Sequence, residues 1–375
     1  MFHVEQLPFG VYVHVPFCKS KCGYCDFCRV TDFSLVDRYV QVLSEEIEGS
    51  SVAGRRPRTV YVGGGTPSAL GSACVGKLLK IVNEGLDLSE VEEFTVECNP
   101  DDVDDMLADA LAAAGVNRVS MGAQSLNDSM LRFLGRRHSA ERVSRAIGVL
   151  RRAGIENVSV DCIFGLPRIG GYDAESDFRR FLDLEVEHLS AYALSYETGS
   201  RFSKMVSEGS LRPLPDDEVA DQYLKLTEML ASAGYVHYEI SNYAKPGREA
   251  LHNSSYWSRT PYWGFGPAAS SFHDGIRETN VMDVAEYVIS RGEKKELREA
   301  LSLKDEYDEV VMLRLRTSEG LAAEEIPSEM RSYFERKTAS EISLGDLEVL
   351  PNDRIRIPED RWFVSDGIIE RLFAE

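Results

Sequence analysis

Residues 11–25 read VYVHVPFCKSKCGYC, a run of mostly apolar residues that leads directly into three cysteines. The apolar run is typical of a buried β-strand, and Cys18, Cys22 and Cys25 come where that strand would end. Cys28 follows, so four of the chain's seven cysteines lie between positions 18 and 28. A disulfide, a zinc site and an iron–sulfur site are the alternatives for such a concentration of thiols.

The composition of the whole chain narrows these alternatives. The chain has 375 residues, 43% of them hydrophobic and 28% charged, and its net charge is −20. Such acidity disfavours nucleic acid or an anionic membrane surface as the main partner. The N-terminal MFHVEQLPFG does not resemble a signal peptide, and no run of about 18 apolar residues predicts a membrane span. We therefore expect a cytoplasmic protein, in which clustered thiols bind metal or do chemistry more often than they form disulfides.

Strand-like runs alternate with helical patterns over the first 245 residues. Six such runs begin at residues 11, 59, 93, 118, 157 and 188, and each is followed by apolar residues at spacings of three and four. This alternation predicts an α/β fold of parallel βαβ units with right-handed crossovers. Six units suit a barrel or a doubly wound sheet, and HYEISNYA at 237–244 predicts an extension of that sheet.

The pattern changes after residue 245, where we place the end of the first domain. Residues 246–299 contain HNSSYWSRTPYWGFGPAASSF, which is rich in aromatic residues, glycine and serine and predicts a connecting loop. Residues 303–316 predict a helix, and residues 347–373 predict a β-hairpin followed by a short helix. Residues 300–375 are therefore predicted to form a small C-terminal α+β domain of wing-like type, without the basic face that DNA binding needs.

Polar residues recur at the predicted strand ends, where parallel α/β folds carry their functional sites. Gly63–Thr66 end the second strand, Glu97 the third and Gln124 the fourth, and Asp161 lies within the fifth. The glycines of GGGTP allow backbone N–H groups to approach a ligand, although the motif is neither a P-loop nor a dinucleotide fingerprint. Together with the cysteines, these residues predict a functional site at one rim of the sheet.

The cysteine spacing, C-x3-C-x2-C, favours an iron–sulfur cluster over zinc. Zinc sites usually pair one C-x2-C with a second pair of ligands, and no second pair follows here, although His14 or Cys28 could act as a fourth ligand. Three thiolates can hold three irons of a cubane cluster and leave the fourth iron open to an exchangeable ligand.

The segment CKSKCGYC, at residues 18–25, resembles the CxxxCxxC signature of the radical S-adenosylmethionine (SAM) superfamily. Within it, the chain is similar to the oxygen-independent coproporphyrinogen III oxidase group, because YVHVPFC, YVGGGTPS, VECNP, MGAQS, LGRRH and DCIFGLP occur in the expected order. The resemblance implies a partial parallel (β/α)6 barrel of the TIM type, with a [4Fe–4S] cluster on Cys18, Cys22 and Cys25 and SAM on the open iron. It also implies a SAM site formed by Tyr12, Gly64, Gly65, Thr66, Glu97, Gln124, Arg136 and Asp161.

Two features separate the chain from the oxidase itself. Phe27 stands where the oxidase pattern has a further cysteine, and only eleven residues precede Tyr12, where the oxidase has a substantial extension. HNSSYW, at residues 252–257, instead resembles the HNxxYW motif of the HemW-type haem chaperones, the non-oxidase branch of the group. This resemblance implies that His252 ligates haem iron, and that Tyr256 and Trp257 contact the porphyrin.

The resemblance therefore predicts a cytoplasmic haem chaperone that passes haem to an acceptor protein, with an electron donor and a second copy of the chain as further expected partners. Coproporphyrinogen III oxidation, or radical SAM chemistry on another substrate, is the alternative, so whether the chain is an enzyme stays open. One departure concerns Ser270, which stands where relatives carry the histidine of a Gly-Ala-His segment, with His273 nearby but out of register.

Overall fold

The computed structural model describes residues 8–26 and 28–375. The signal-peptide argument at residues 1–7, and the departure from the oxidase pattern at Phe27, concern positions outside the described residues.

Six parallel strands alternate with helices and pair with their neighbours in chain order. The strands are β1 (Gly10–Val15), β2 (Thr59–Gly64), β3 (Glu93–Cys98), β4 (Arg118–Gln124), β5 (Asn157–Phe164) and β6 (His188–Ala193). The helices between them are α1 (Val36–Glu48), α2 (Ser72–Gly85), α3 (Asp105–Ala113), α4 (Asp128–Leu134), α5 (Ala140–Arg152) and α6 (Ala174–Leu182). The predicted α/β fold with six parallel βα units is confirmed.

Beyond β6 the sheet continues with antiparallel strands. Two helices, α7 (Arg201–Ser207) and α8 (Asp216–Ser232), precede β7 (Val236–Glu239) and β8 (Asn242–Ala244). Strand β8 pairs antiparallel with both β6 and β7. The predicted extension of the sheet by residues 237–244 is therefore confirmed.

The prediction of a loop for HNSSYWSRTPYWGFGPAASSF, residues 252–272 of the connecting segment 246–299, is wrong. The segment forms α9 (Leu251–Trp257), β9 (Tyr262–Phe265), β10 (Ser270–His273), β11 (Ile276–Asn280), α10 (Val284–Ile289) and β12 (Lys295–Ala300). Strand β9 pairs parallel with β1, so the segment extends the other edge of the same sheet. Its small residues serve close packing, because a Cβ atom at Gly264 would lie 2.1 Å from the Ser270 carbonyl oxygen.

The C-terminal elements agree with their predictions. Helix α11 (Leu303–Arg314) is followed by α12 (Arg331–Leu344), a hairpin of β13 (Glu348–Val349) and β14 (Ile355–Arg356), and α13 (Ser365–Glu370). The predicted helix and the predicted hairpin–helix pair are confirmed, whereas the domain boundaries at residues 245 and 300 stay a prediction. No helix among the described residues is long and apolar enough to cross a bilayer.

The two faces of the parallel strands have opposite character. Side chains that point toward the helices, such as Val13, Val62 and Val119, are fully buried in the apolar core. Positions that alternate with them point inward and are polar, as at Thr95, Ser120 and Ser159. Barrels of this type usually fill the interior with branched apolar side chains. This barrel instead has a polar interior surrounded by an apolar outer layer.

Strand β12 ends the sheet on the side of the added strands. All six of its residues are exposed, and four of them are charged: Lys295, Glu296, Arg298 and Glu299.

Candidate metal and cofactor site

One cavity of about 530 Å³ lies at the carboxyl ends of the parallel strands. The structure brings the three cysteines and the whole predicted SAM site together around it, and the lining includes Cys18, Cys22, Cys25, Tyr12, Gly64, Gly65, Thr66, Glu97, Gln124, Arg136 and Asp161. Residues more than 140 positions apart thus meet at one rim, because parallel strands present their carboxyl ends to the same side of the sheet. The predicted haem residues of α9 are not part of this lining.

The cysteine loop is anchored to the end of β1. The Cys18 N–H donates to the Val30 carbonyl at 2.9 Å, and the Val30 N–H donates to the Pro16 carbonyl at 2.7 Å, which closes the loop at its base. The Cys18 sulfur lies 3.4 Å from Thr66 Oγ1. Burial raises the pKa of the Cys18 thiol, although the contact with Thr66 opposes that effect. Metal binding at Cys18 therefore releases a proton from this thiol.

The glycine turn after β2 packs directly against this loop. Gly64 has a φ of 107°, which a side chain would disfavour, and its N–H donates to Glu97 Oε2 at 3.0 Å. A Cβ atom on Gly65 would lie 2.9 Å from the carbonyl oxygens of Val15 and Phe17. The turn therefore needs glycine at both positions to bring its backbone beside the cluster loop.

Two carboxylates, Glu97 and Asp161, face the cavity from β3 and β5. Burial raises the pKa of Glu97 to about 7 and that of Asp161 to about 6. Tyr61 donates its hydroxyl to Glu97 Oε1 at 2.7 Å, and Ser120 Oγ lies 3.5 Å from Asp161 Oδ1. These carboxylates are suitable acceptors for the hydroxyl groups of a nucleoside.

Arg136 lies between the cysteine loop and the strand ends. Its Nη2 donates to Asn99 Oδ1 at 2.7 Å and to the Gly122 carbonyl at 2.6 Å, and its Nη1 lies 3.4 Å from Cys22 Sγ. The guanidinium is thus fixed in the cavity wall, where it can pair with a carboxylate. Gln124, at the end of β4, has a φ of 68°, a strained backbone for a residue other than glycine.

Sequence reasoning missed Asp102, which joins three parts of the site. Lys19 Nζ lies 2.7 Å from Asp102 Oδ1, and Arg137 Nη2 lies 3.2 Å from the same oxygen. Ser68, just after the glycine turn, donates to Asp102 Oδ2 at 3.1 Å. The side chain of Asp102 is 2% exposed. Within the motif that begins VECNP, the following Asp-Asp pair was the available signal, but it resembles an ordinary turn.

The predicted haem ligand lies at the opposite end of the barrel. His252 is 1% exposed, its Nδ1 lies 2.8 Å from Thr59 Oγ1, and its Nε2 lies 2.8 Å from the Tyr256 hydroxyl. Thr59 begins β2, whereas the cysteines follow the end of β1, and a six-residue strand is about 16 Å long. Burial lowers the pKa of His252 to about 3, so the ring is neutral near pH 7.

Helix α9 is attached to the amino end of the barrel by Glu93 of β3. One oxygen of this buried carboxylate accepts the Leu251 N–H at 2.7 Å, and the other accepts the His252 N–H at 3.2 Å. The His252 ring stacks on Tyr61, with 5.2 Å between ring centroids. Trp257, the last residue of α9, is half-buried. The HNSSYW motif therefore forms a short helix that closes the amino end of the barrel.

The remaining residues singled out from the sequence lie outside the cavity. Ser270 stands where relatives carry a histidine, and its Oγ lies 2.9 Å from Thr279 Oγ1 on the neighbouring strand. His273 stacks on Trp263, with 4.6 Å between ring centroids. Cys28 donates its thiol to the Met282 carbonyl at 3.0 Å and is absent from the cavity lining.

The donor set fits an iron–sulfur cluster by its chemistry. Three thiols on one short loop line the cavity, and thiolates are the soft ligands that such clusters take. Within residues 8–26 and 28–375, no three His, Cys, Asp or Glu side chains are arranged to hold a single metal ion.

Comparison with known proteins assigns the site to a class. The Radical SAM superfamily matches residues 12–184, the part of the chain that carries the cysteine loop and the rim residues. Its members bind a [4Fe–4S] cluster and SAM. The chain is 37% identical over 375 residues to the heme chaperone HemW of Lactococcus lactis, covering 99% of this chain and 98% of the relative. It is 33% identical to HemW of Mycobacterium tuberculosis, over 98% of this chain and 95% of the relative. The chain belongs to the HemW family.

A solved structure supports the fold independently. Coproporphyrinogen III oxidase (HemN) from Escherichia coli, described as a radical SAM enzyme, superposes with a TM-score of 0.83 over 98% of this chain and 91% of that protein. The sequence identity of 21% is low, so this likeness concerns the fold alone.

Proposed function

We propose that the chain is a haem chaperone, which binds haem and transfers it to an acceptor protein. The observation that carries this proposal is the likeness to heme chaperones named HemW, which extends over almost the full length of the chain at 37% identity. The HNSSYW motif on α9 and the absence of the oxidase's further cysteine at Phe27 agree with it. Conversion of coproporphyrinogen III is the alternative that the test below addresses.

The cavity at the carboxyl end is the proposed cluster and SAM site. When bound, the cluster and SAM supply one-electron chemistry at the sulfonium group. Cys18, Cys22 and Cys25 hold the cluster, and Arg136 donates N–H groups to the carboxylate of SAM, since a guanidinium pairs well with a planar carboxylate. Glu97 and Asp161 accept hydrogen bonds from the nucleoside. The remaining proposed contacts are made by Tyr12, Gly64, Gly65, Thr66 and Gln124.

Haem is proposed to bind through α9, at the amino end of the barrel. Both ring nitrogens of His252 have hydrogen-bond partners, so the ring can ligate iron only after it releases Thr59 or Tyr256. Release of the Tyr256 hydroxyl frees Nε2, and a movement of α9 away from the barrel then exposes the ring. Tyr256 and Trp257 of the same helix provide flat apolar faces for the porphyrin.

An anaerobic comparison of two substrates tests the proposed function. Protein reconstituted with iron and sulfide is titrated with haem, and separately incubated with coproporphyrinogen III, SAM and a reductant. Saturable haem binding without decarboxylation of coproporphyrinogen III is the expected result. Turnover to protoporphyrinogen would instead identify an oxidase. Replacing Cys25 by serine should abolish the cluster, while the same change at Cys28 should leave the iron content unchanged.

The iron ligand is tested by three substitutions. We expect His252→Ala to weaken haem binding at least tenfold and to shift the Soret band, because the axial nitrogen is lost. Tyr256→Phe removes the hydroxyl that engages Nε2 and should speed haem uptake. His273→Ala is the matched control, since its ring is also stacked on an aromatic residue but lies outside the motif. An unchanged Soret band in His252→Ala would remove this residue from the proposal.

The partners follow from this function. A haem-acceptor protein, an electron donor for the cluster and a second copy of the chain are proposed to act with it in the cytoplasm. Affinity capture of haem-loaded protein, compared with haem-free protein, distinguishes an acceptor from a nonspecific contact.

A further inference from the structure

Strand β12 leaves one edge of the sheet open. It pairs antiparallel with β11 on one side, and within the described part of the chain no strand covers its other side. All six of its residues are exposed, and the central apolar residue, Leu297, is 41% exposed. An open edge carries unpaired backbone N–H and C=O groups, which can pair with another extended strand. The edge is therefore a surface that a further strand can extend.

The backbone of β12 presents hydrogen-bonding groups to this open side at alternate residues. The Leu301 N–H, just after the strand, donates to the Gly275 carbonyl at 3.0 Å, on the side of β11. Because the backbone groups of successive residues in a strand point to opposite sides, Ala300 and Arg298 direct theirs toward the open side. An added strand must place its own outward-directed residues opposite these two.

The sequence of β12 is complementary in charge to itself. The strand reads KELREA from Lys295 onward. In an antiparallel second copy centred on Leu297, Lys295 lies opposite Glu299. Glu296 then lies opposite Arg298, and the two-fold axis repeats both pairs around a central contact between the two leucines. Opposite charges directly across antiparallel strands stabilise their pairing.

Other registers of the same edge bring like charges together. A shift of the centre by one residue places either Arg298 or Glu296 opposite itself, and parallel in-register pairing places every charged residue opposite its own copy. Like charges directly opposite each other destabilise strand pairing. The charges of β12 therefore favour one arrangement of two copies and disfavour pairing in the others.

Contacts within the chain leave the charged residues of β12 available to a second copy. Arg298 Nε lies 3.0 Å from Glu278 Oε1 on β11, and the arginine side chain is still 67% exposed. Glu296 has no residue opposite it on β11, because the register of the two strands shifts between Thr279 and Asn280. Since a guanidinium has five N–H donors, Arg298 can bind Glu278 of its own chain and Glu296 of the second copy together.

We propose that β12 is the surface through which two copies of this chain associate, by antiparallel pairing of their β12 strands about a two-fold axis at Leu297. The contact is one strand wide, so it belongs to the small, transient class of interfaces, and the dimer should form reversibly as concentration rises. The inference rests on the proposed function only for the expectation of a second copy. It names the surface of that partner and does not depend on haem binding.

Two charge-reversed variants test the pairing by sedimentation velocity of the full chain, reconstituted anaerobically. Glu296→Lys and Arg298→Glu each place like charges opposite one another in their own dimers, so the dissociation constant of each should rise about tenfold. An equimolar mixture of the two variants restores opposite charges at both positions and should dimerise like wild type. Glu335→Lys on α12, also an exposed position, is the control and should dimerise like wild type alone.

The mixture keeps the test decisive, because recovery of the dimer shows that both variants are folded. Sodium chloride should weaken the wild-type dimer, since it screens exposed charge pairs. A wild-type chain that stays monomeric at its highest soluble concentration in dilute buffer would overturn the inference. Single variants that dimerise like wild type, or a mixture that stays monomeric, would do the same.

Haem titration of the same samples separates this inference from the proposed function. A chain that dimerises through β12 and fails to bind haem contradicts the haem chaperone alone. A monomeric chain that binds haem contradicts the β12 interface alone.

Discussion

At the scale of the residue, the shape of the cofactor cavity depends on Asp102, a side chain that does not itself line the cavity. Asp102 accepts from Lys19 on the cysteine loop, from Ser68 beside the glycine turn and from Arg137 after α4. Pairs of this kind on the surface contribute little, but this carboxylate is almost fully buried, so an unpaired partner is costly. Asp102 therefore fixes the relative position of three loops.

Replacing Asp102 by asparagine should destabilise the cluster without removing a ligand. The neutral amide cannot hold both cations, so the cysteine loop should open more often and lose iron at least several-fold faster in air. Absorbance of the reconstituted cluster over time measures this rate. Asp105→Asn is the control, because that side chain is 80% exposed and forms an ion pair with Arg152 on the surface. Equal rates in the two variants would contradict the assigned role.

The raised pKa of Glu97 predicts that the free energy of unfolding depends on pH in protein without metal or SAM. Its pKa in the folded chain is about 7, above its value in the unfolded chain, so folding favours the protonated form. The stability associated with it is present below about pH 4.5 and is lost as the pH rises through 7. Glu97→Gln should therefore be more stable than wild type at pH 8, by up to about 3 kcal/mol, and similar to it at pH 5.

Urea unfolding at the two pH values checks this expectation. Glu335→Gln on α12, an exposed position, is the control and should leave the pH dependence as it is in wild type. A Glu97→Gln variant that is less stable than wild type at pH 8 would show that the hydrogen bonds to Tyr61 and Gly64 outweigh the cost of burying the charge.

At the scale of the element, β3 serves both ends of the barrel. Its first residue, Glu93, holds the first turn of α9, and its fifth residue, Glu97, faces the cofactor cavity. The two carboxylates point inward because side chains alternate along a strand, and Thr95 lies between them. A single strand thus connects the helix that carries the HNSSYW motif with the proposed SAM site.

Replacing Glu93 by alanine should loosen α9 while the rest of the barrel stays folded. Two backbone N–H groups lose their acceptor, at a cost of about 1–3 kcal/mol each. Hydrogen exchange of residues 250–257, followed by mass spectrometry, should accelerate, and exchange of α5 should not change. Glu90→Ala is the control, since that carboxylate is 69% exposed and pairs with Arg56 on the surface. Unchanged protection of α9 would contradict the role of Glu93.

The contrast between β3 and α9 shows what the sequence could predict. The strands were predictable because each has apolar residues at alternate positions and is followed by an amphipathic helix, and the cysteines and rim residues could be placed from the strand ends. Helix α9 was not predictable, because its seven residues show too little periodicity. Its position also depends on the carboxylate of Glu93, about 160 residues earlier in the chain. The contacts of Asp102 with three loops could not be predicted for the same reason, since spacing in the sequence does not show which loops lie together.

At the scale of the whole molecule, the residues that stabilise the fold and those that form the cofactor cavity lie on opposite faces of the same strands. The outer face packs against the helices in a continuous apolar core, and the inner face carries polar residues that surround the cofactor cavity. Apolar burial supplies most of the folding free energy. The interior is therefore free to hold polar and charged groups such as Arg118 and Glu97.

Neighbouring residues of β4 test this division. Val119 faces the helices and is fully buried, whereas Ser120 faces the interior. Val119→Ala should lower the free energy of unfolding by about 2 kcal/mol and leave SAM affinity unchanged. Ser120→Ala should have a smaller effect on stability and should weaken SAM binding, because Asp161 loses a hydrogen-bond donor. The division would be wrong if Ser120→Ala proved the more destabilising of the two.

The exposed edge strand β12 has a practical consequence for anyone who purifies this protein. Strand β12 pairs with β11 on one side only, so its open edge can pair with the edge of another molecule, and its lysine, arginine and glutamate side chains are the ordinary protection against such pairing. That protection is electrostatic, so concentrated salt screens it. We expect precipitation during high-salt chromatography or ammonium sulfate crystallisation, and longer storage life in dilute buffer near neutrality.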